Sequence, residues 1–130
     1  MAILIKAFRL TLLWALFILI ICNANLGKVG HSPLFFAGFD KITHCGLFFV
    51  FVIFYASELI RKHKTDVLSY KYMLLVFAMA VLFGGLIEIL QLTIFTWRSG
   101  EWNDFFADMI GISMGIFSVW KLNRAMYEKS

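Results

Sequence analysis

Hydrophobic and polar positions fall into long blocks along this chain rather than into a short alternation. Four blocks, residues 4–23, 41–60, 72–95 and 103–120, are mainly apolar, with short polar stretches between them. A helix rises about 1.5 Å per residue and needs about 20 apolar residues to cross the hydrocarbon core of a bilayer. The pattern therefore predicts an all-α, polytopic membrane protein: one bundle of four transmembrane helices, with residues 1–130 as a single domain. Lys6 and Arg9 open the first block, where long basic side chains snorkel to the interface. Asn23-Ala24-Asn25 is a poor match to the small-residue cleavage site of a secretory signal, so the block reads as a retained helix. The fourth block is the shortest, and Asp104 and Asp108 in its first turns are expected inside the bundle.

Composition sharpens this. The chain is 62% hydrophobic, 18% aromatic and only 15% charged, with a mean hydropathy of +0.84. A soluble domain of 130 residues normally carries far more charge. A net charge of +4 raises nucleic acid as a partner, but the basic residues flank apolar blocks instead of forming a stripe, so none is expected. Their distribution reads more simply as topology. Lys6, Arg9, Arg61, Lys62, Lys64, Lys71, Lys121, Arg124 and Lys129 fall on one side; Lys28, Lys41 and Arg98 fall on the other. Nine against three places both termini in the cytoplasm by the positive-inside rule. Trp97 and Trp102 then fit an outer aromatic belt, and Tyr70, Tyr72 and Trp120 an inner one. The segment Pro33-Leu34-Phe35-Phe36-Ala37-Gly38-Phe39 is apolar enough to dip into the outer interface or cover a site. Asn23, Asn25 and His31 read as ordinary outer-loop residues. Cys22 and Cys45 lack metal or redox spacing and read as small buried hydrophobes rather than as an envelope disulfide.

Candidate chemistry comes from the polar residues inside the apolar blocks, which mark a functional site by default. Asp40 and His44 are four apart on one face at the outer start of the second helix, with Lys41 between them. Glu88 and Gln91 are three apart in the outer part of the third, and Gly84 shares their face. Asp104 and Asp108 are four apart at the outer start of the fourth, and Gly111 and Gly115 continue that face as a close-packing G-x-x-x-G pair. Arg98 and Glu101 lie in the loop above. Lys41 and Arg98 suit a phosphate or carboxylate, Arg through a two-pronged contact. His44 with Glu88, Asp104 or Asp108 suits acid–base work, with His44 and Glu88 the catalytic candidates. The same groups could bind a divalent metal, although no compact metal motif is present and none is assigned. The blander reading has Lys41 and Arg98 neutralising Asp40, Glu88, Asp104 and Asp108 to lock helix register, with Asp104 favouring the helix dipole.

At these residues the chain resembles the VanZ-like family of small bacterial membrane proteins. The matching pieces are Asp40-Lys41-Ile42-Thr43-His44 before a Phe-rich span, Glu88-Ile89-Leu90-Gln91, Arg98, and Asp104-Phe105-Phe106-Ala107-Asp108-Met109-Ile110-Gly111 with Gly115 beyond. They cover residues 39–116. The family often has Asn where this chain has Asp108. The family takes its name from a protein associated with resistance to the glycopeptide teicoplanin, and its biochemical activity is not settled. The resemblance implies a protein of the bacterial cytoplasmic membrane with an outer-leaflet polar site.

Three functions are expected on these grounds, in descending order. The first is binding of an anionic lipid-linked or peptidoglycan-precursor group by Asp40, Lys41, His44, Glu88, Gln91, Arg98, Asp104 and Asp108, in connection with glycopeptide response. The second is an intramembrane hydrolase or transferase acting on such a lipid. Thr43 and Cys45 flank His44 but point away from it on a helix, so that reading lacks a nucleophile. The third is a proton- or ion-coupled carrier using Glu88 and Asp108, which four helices would support only as a homo-oligomer. A charge-locked structural bundle stands beside all three. Membrane lipids are the expected partners, and the residues name no cofactor.

Overall fold

In the computed structural model, which describes residues 1–24, 36, 38–98 and 100–129, the described residues form five helices and no strand. These are α1 (Ala2–Ala7), α2 (Arg9–Asn23), α3 (Phe39–His63), α4 (Tyr70–Thr93) and α5 (Trp102–Tyr127). α3, α4 and α5 are each long and apolar enough to cross a membrane. The chain is an all-helical membrane protein, and its polarity is arranged accordingly. On α4, Leu74, Leu75, Met79, Leu82, Leu86 and Ile89 are exposed, while Gly84, Glu88 and Gln91 are buried. Apolar side chains face outward and the few polar ones inward, because hydrocarbon solvates the former and cannot hydrogen-bond the latter.

The first apolar block is not one straight helix, as its pattern predicts, but two pieces that meet at Phe8 (φ −115°, ψ 33°). No Pro or Gly lies there. The cause is Glu58 of α3, whose carboxylate accepts from the backbone N–H of Leu10 (2.7 Å) and of Thr11 (3.1 Å) and from Thr11 Oγ1 (2.6 Å). Those amides would otherwise bond back to carbonyls one turn earlier, and a side chain inserted into that ladder bends a helix. Glu58 thus caps α2 from a neighbouring helix, its negative charge set at the positive end of the helix dipole. The bend leaves α2 with 15 residues, and the bonds Phe8 N–Leu4 O and Leu12 N–Phe8 O carry the chain across it.

α3 is the central helix and packs most extensively on α5. Glycine makes that possible. A Cβ on Gly111 would lie 2.1 Å from the Cys45 carbonyl oxygen, and one on Gly115 would lie 2.8 Å from Val52 Cβ and 3.3 Å from the Phe49 carbonyl oxygen. As Gly111 meets Cys45 and Gly115 meets Phe49 and Val52, the register advances in the same direction on both helices, so α3 and α5 run parallel. α4 returns between them in sequence. The core beneath is Ile18, Phe48, Val52, Val76, Ala80, Ile87 and Ile112. At the end where α3 and α4 are joined, the side chain of Asn123 holds both backbone groups of Leu68 (Nδ2 to O 2.7 Å; N to Oδ1 3.2 Å). This closes the loop onto α5.

Candidate functional site

The shared end of α3 and α5 is acidic. Gly38, with φ +86°, sets the chain into α3, and Glu101 is the N-cap of α5; neither start has a side-chain cap. Lys41 reaches from α3 across to α5, 3.4 Å from Asp104 Oδ1 and 3.4 Å from Glu101 Oε2, and lies 3.9 Å from Asp40. Its ammonium thus sits among three carboxylates and ties two helix starts together.

One turn deeper, α3, α4 and α5 bring His44, Glu88, Gln91 and Asp108 into a buried layer, 2%, 7%, 1% and 0% exposed. His44 Nδ1 lies 2.8 Å from Asp108 Oδ1. That carboxylate fixes the ring and leaves Nε2 as the nitrogen available for other work. Gly84 leaves the room that Asp108 occupies, since a Cβ there would sit 3.1 Å from Asp108 Oδ2. Gln91 donates its Nε2 to the Cys22 carbonyl oxygen (2.8 Å), tying α4 to the end of α2. Most of the layer's acceptors find no donor. Among the described residues, His44 Nε2, both oxygens of Glu88, Gln91 Oε1 and Asp108 Oδ2 are buried without a hydrogen-bond partner, as are Asp40 Oδ1 and Asp104 Oδ1 above them. One donor atom each from His44, Glu88 and Asp108 lies within 4.8 Å of the others. The sequence shows no compact metal motif because these three ligand-type residues come from three different helices.

Beside this layer, between α2 and α3, is a cavity of about 510 Å³. Phe17, Ile21, Phe36, Phe39 and Leu47 form most of its wall, and Asp40, Thr43, His44 and Arg98 supply its polar groups. Arg98 makes no ion pair among the described residues. Of the eight predicted site residues, then, Asp40, His44 and Arg98 line the cavity; Glu88, Gln91 and Asp108 back it; and Lys41 and Asp104 bridge the helix starts above. Phe36 stands at the cavity, whereas 33–35 and 37 of the predicted covering segment lie outside the described residues, as do Lys28, Asn25 and His31.

Three residues with roles here are not apparent from pattern alone. Cys22 is buried, lines the cavity and adjoins the His44 ring. It comes from the opposite helix, where sequence neighbours of His44 cannot reveal it. Both cysteines are free thiols. Asn23 is not an outer-loop residue; it ends α2, is buried, donates Nδ2 to the Leu19 carbonyl oxygen (2.8 Å), and gives its own carbonyl to Trp97 Nε1 (3.0 Å). Glu58 sits near the far end of α3, just before Arg61 and Lys62, and is 1% exposed. Searches against protein families, curated proteins and solved structures give no match to this chain.

Proposed function

We propose that this chain is a VanZ-like protein of the bacterial cytoplasmic membrane that takes up the head group of an anionic, lipid-linked envelope precursor from the outer leaflet. In this reading α1 and α2 together make a fourth crossing with both termini cytoplasmic; 22 residues at about 1.5 Å each give roughly 33 Å, enough for the hydrocarbon core. The observation that carries the proposal is the cavity between α2 and α3. Its long apolar wall suits a lipid chain, and its one cation, Arg98, is not consumed by a carboxylate among the described residues. An unpaired guanidinium at the polar end of a greasy cleft matches phosphate geometry through parallel N–H donors. Asp40 and Thr43 add an acceptor and a hydroxyl for sugar or peptide groups beyond the phosphate.

The test is native mass spectrometry of protein gently extracted from its own membrane. Arg98→Ala is expected to lose about 10- to 100-fold in retention of an anionic lipid, the value of one charged hydrogen-bonded contact. Its helical circular dichroism should remain that of the wild type. Equal retention by a well-folded Arg98→Ala protein overturns the proposal.

A further inference from the structure

The buried layer behind the cavity has a peculiarity that a lipid head group at Arg98 does not address. His44 Nε2, Glu88 Oε1 and Oε2, Gln91 Oε1 and Asp108 Oδ2 are five buried polar atoms without a hydrogen-bond partner among the described residues. Buried polar atoms are almost always paired, and each one left over calls for an explanation. Most neighbouring side chains are committed elsewhere, and the Cys22 thiol beside the His44 ring is only a weak donor. Gln91 spends its amide nitrogen on the Cys22 carbonyl, and His44 spends Nδ1 on Asp108. Lys41 is held among Asp40, Glu101 and Asp104, and Arg98 lines the cavity instead. The layer thus gathers an imidazole, two carboxyl groups and an amide oxygen at one depth, the donor types of a metal site.

We infer that His44, Glu88 and Asp108 form a binding site for one divalent first-row metal ion. One donor atom from each lies within 4.8 Å of the others, all three are buried, and they come from α3, α4 and α5, so an ion would join the three long helices at one point. The charges match: two carboxylates and a dication make a neutral cluster, the form in which ions are tolerated away from water. The donor set selects the kind of metal. An imidazole nitrogen with carboxylate oxygens suits Zn²⁺ or Mn²⁺; Mg²⁺ and Ca²⁺ prefer oxygen alone, and softer ions prefer sulfur. Gln91, one turn from Glu88 with a free carbonyl oxygen, stands as a further ligand or as the acceptor of a metal-bound water. Gly84 belongs to the same device, because any side chain there would press on Asp108.

The site is independent of the lipid reading, since it needs neither Arg98 nor an occupied cavity. The test uses the full-length protein in detergent, delipidated and stripped with a chelator, then titrated separately with Zn²⁺, Mn²⁺ and Mg²⁺. Close to one equivalent of Zn²⁺ or Mn²⁺ per chain is expected, with Mg²⁺ much weaker. Glu88→Gln and Asp108→Asn should each weaken binding by at least about 100-fold, beyond the loss typical of a ligand's hydrogen-bonding partner. Arg98→Ala should bind metal like the wild type. X-ray absorption of the zinc-loaded wild type gives a readout that needs no mutant to fold, and it should show one imidazole among oxygen ligands at about 2.0–2.2 Å. Stoichiometry below about one-tenth for all three metals would mean that protons, shared between Glu88 and Asp108, fill the layer, and the inference would be overturned. So would metal held equally well by folded Glu88→Gln and Asp108→Asn proteins.

Discussion

Glu58 and Glu88 are two glutamates buried in the same helical bundle, and they could hardly be treated more differently. Glu58 meets two backbone amides and a hydroxyl, with Arg61 Nη2 at 3.4 Å besides. Neither Glu88 oxygen finds a hydrogen-bond partner of ordinary geometry among the described residues, although the Glu101 backbone N–H bears on the carboxylate. The first carboxylate is finished by its own chain: its desolvation is offset by charged hydrogen bonds and a helix dipole, and its role is to shape α1 and α2. The second is left open by its own chain. A buried ion costs several kcal/mol unless it is paired, and the metal ion inferred above would pair this one. Hydrogen-bond completion, rather than burial or charge, separates the two acids, and on our inference it marks Glu88 as the one that binds a metal.

The comparison can be broken most sharply at Glu58. Glu58→Ala strands three donors at once and should lower stability by about 3 kcal/mol or more, read as a drop in thermal midpoint in detergent. Metal uptake by whatever fraction stays folded should be unchanged, since the two sites share no residue. Thr11→Val removes only the hydroxyl bond and leaves the carboxylate its backbone donors, so about 1.5 kcal/mol is expected. At the other acid the sign should reverse. Glu88→Met replaces a donorless carboxylate with an apolar side chain of similar reach, and the chelator-stripped protein should gain about 1 kcal/mol or hold level. If Glu88→Met instead destabilises the stripped protein as much as Glu58→Ala does, then Glu88 is a structural acid too.

These two acids also show what a sequence carries and what it withholds. α3, α4 and α5 are legible because a membrane-crossing helix announces itself as an uninterrupted apolar block. His44, Glu88, Gln91, Asp104 and Asp108 are legible as a group because a polar residue inside such a block has few reasons to be there. Glu58 is not legible: it stands near the end of its apolar block with Arg61, Lys62 and Lys64 just after it, and its partners lie 47 and 48 residues earlier. The bend at Phe8 is hidden for the same reason, being imposed by a neighbour and not by Pro or Gly. Pairing defeats pattern in a second way at Lys41 and Arg98. As two outer cations they look interchangeable, yet one is enclosed by Asp104, Glu101 and Asp40 while the other lines a cavity. Nothing in local spacing divides those tasks, because the division depends on which side of α3 each cation reaches.

The parallel course of α3 and α5 has an electrical consequence. Two helices that begin side by side add their backbone dipoles, each equivalent to roughly half a positive charge at its start, and neither start is capped by a side chain. Asp40, Glu101 and Asp104 gather at that doubled positive pole, with Lys41 among them. The peptide groups thus contribute about one unit of countercharge there without any side chain. In the reading proposed above, that backbone charge helps leave the guanidinium of Arg98 to face an anion from outside.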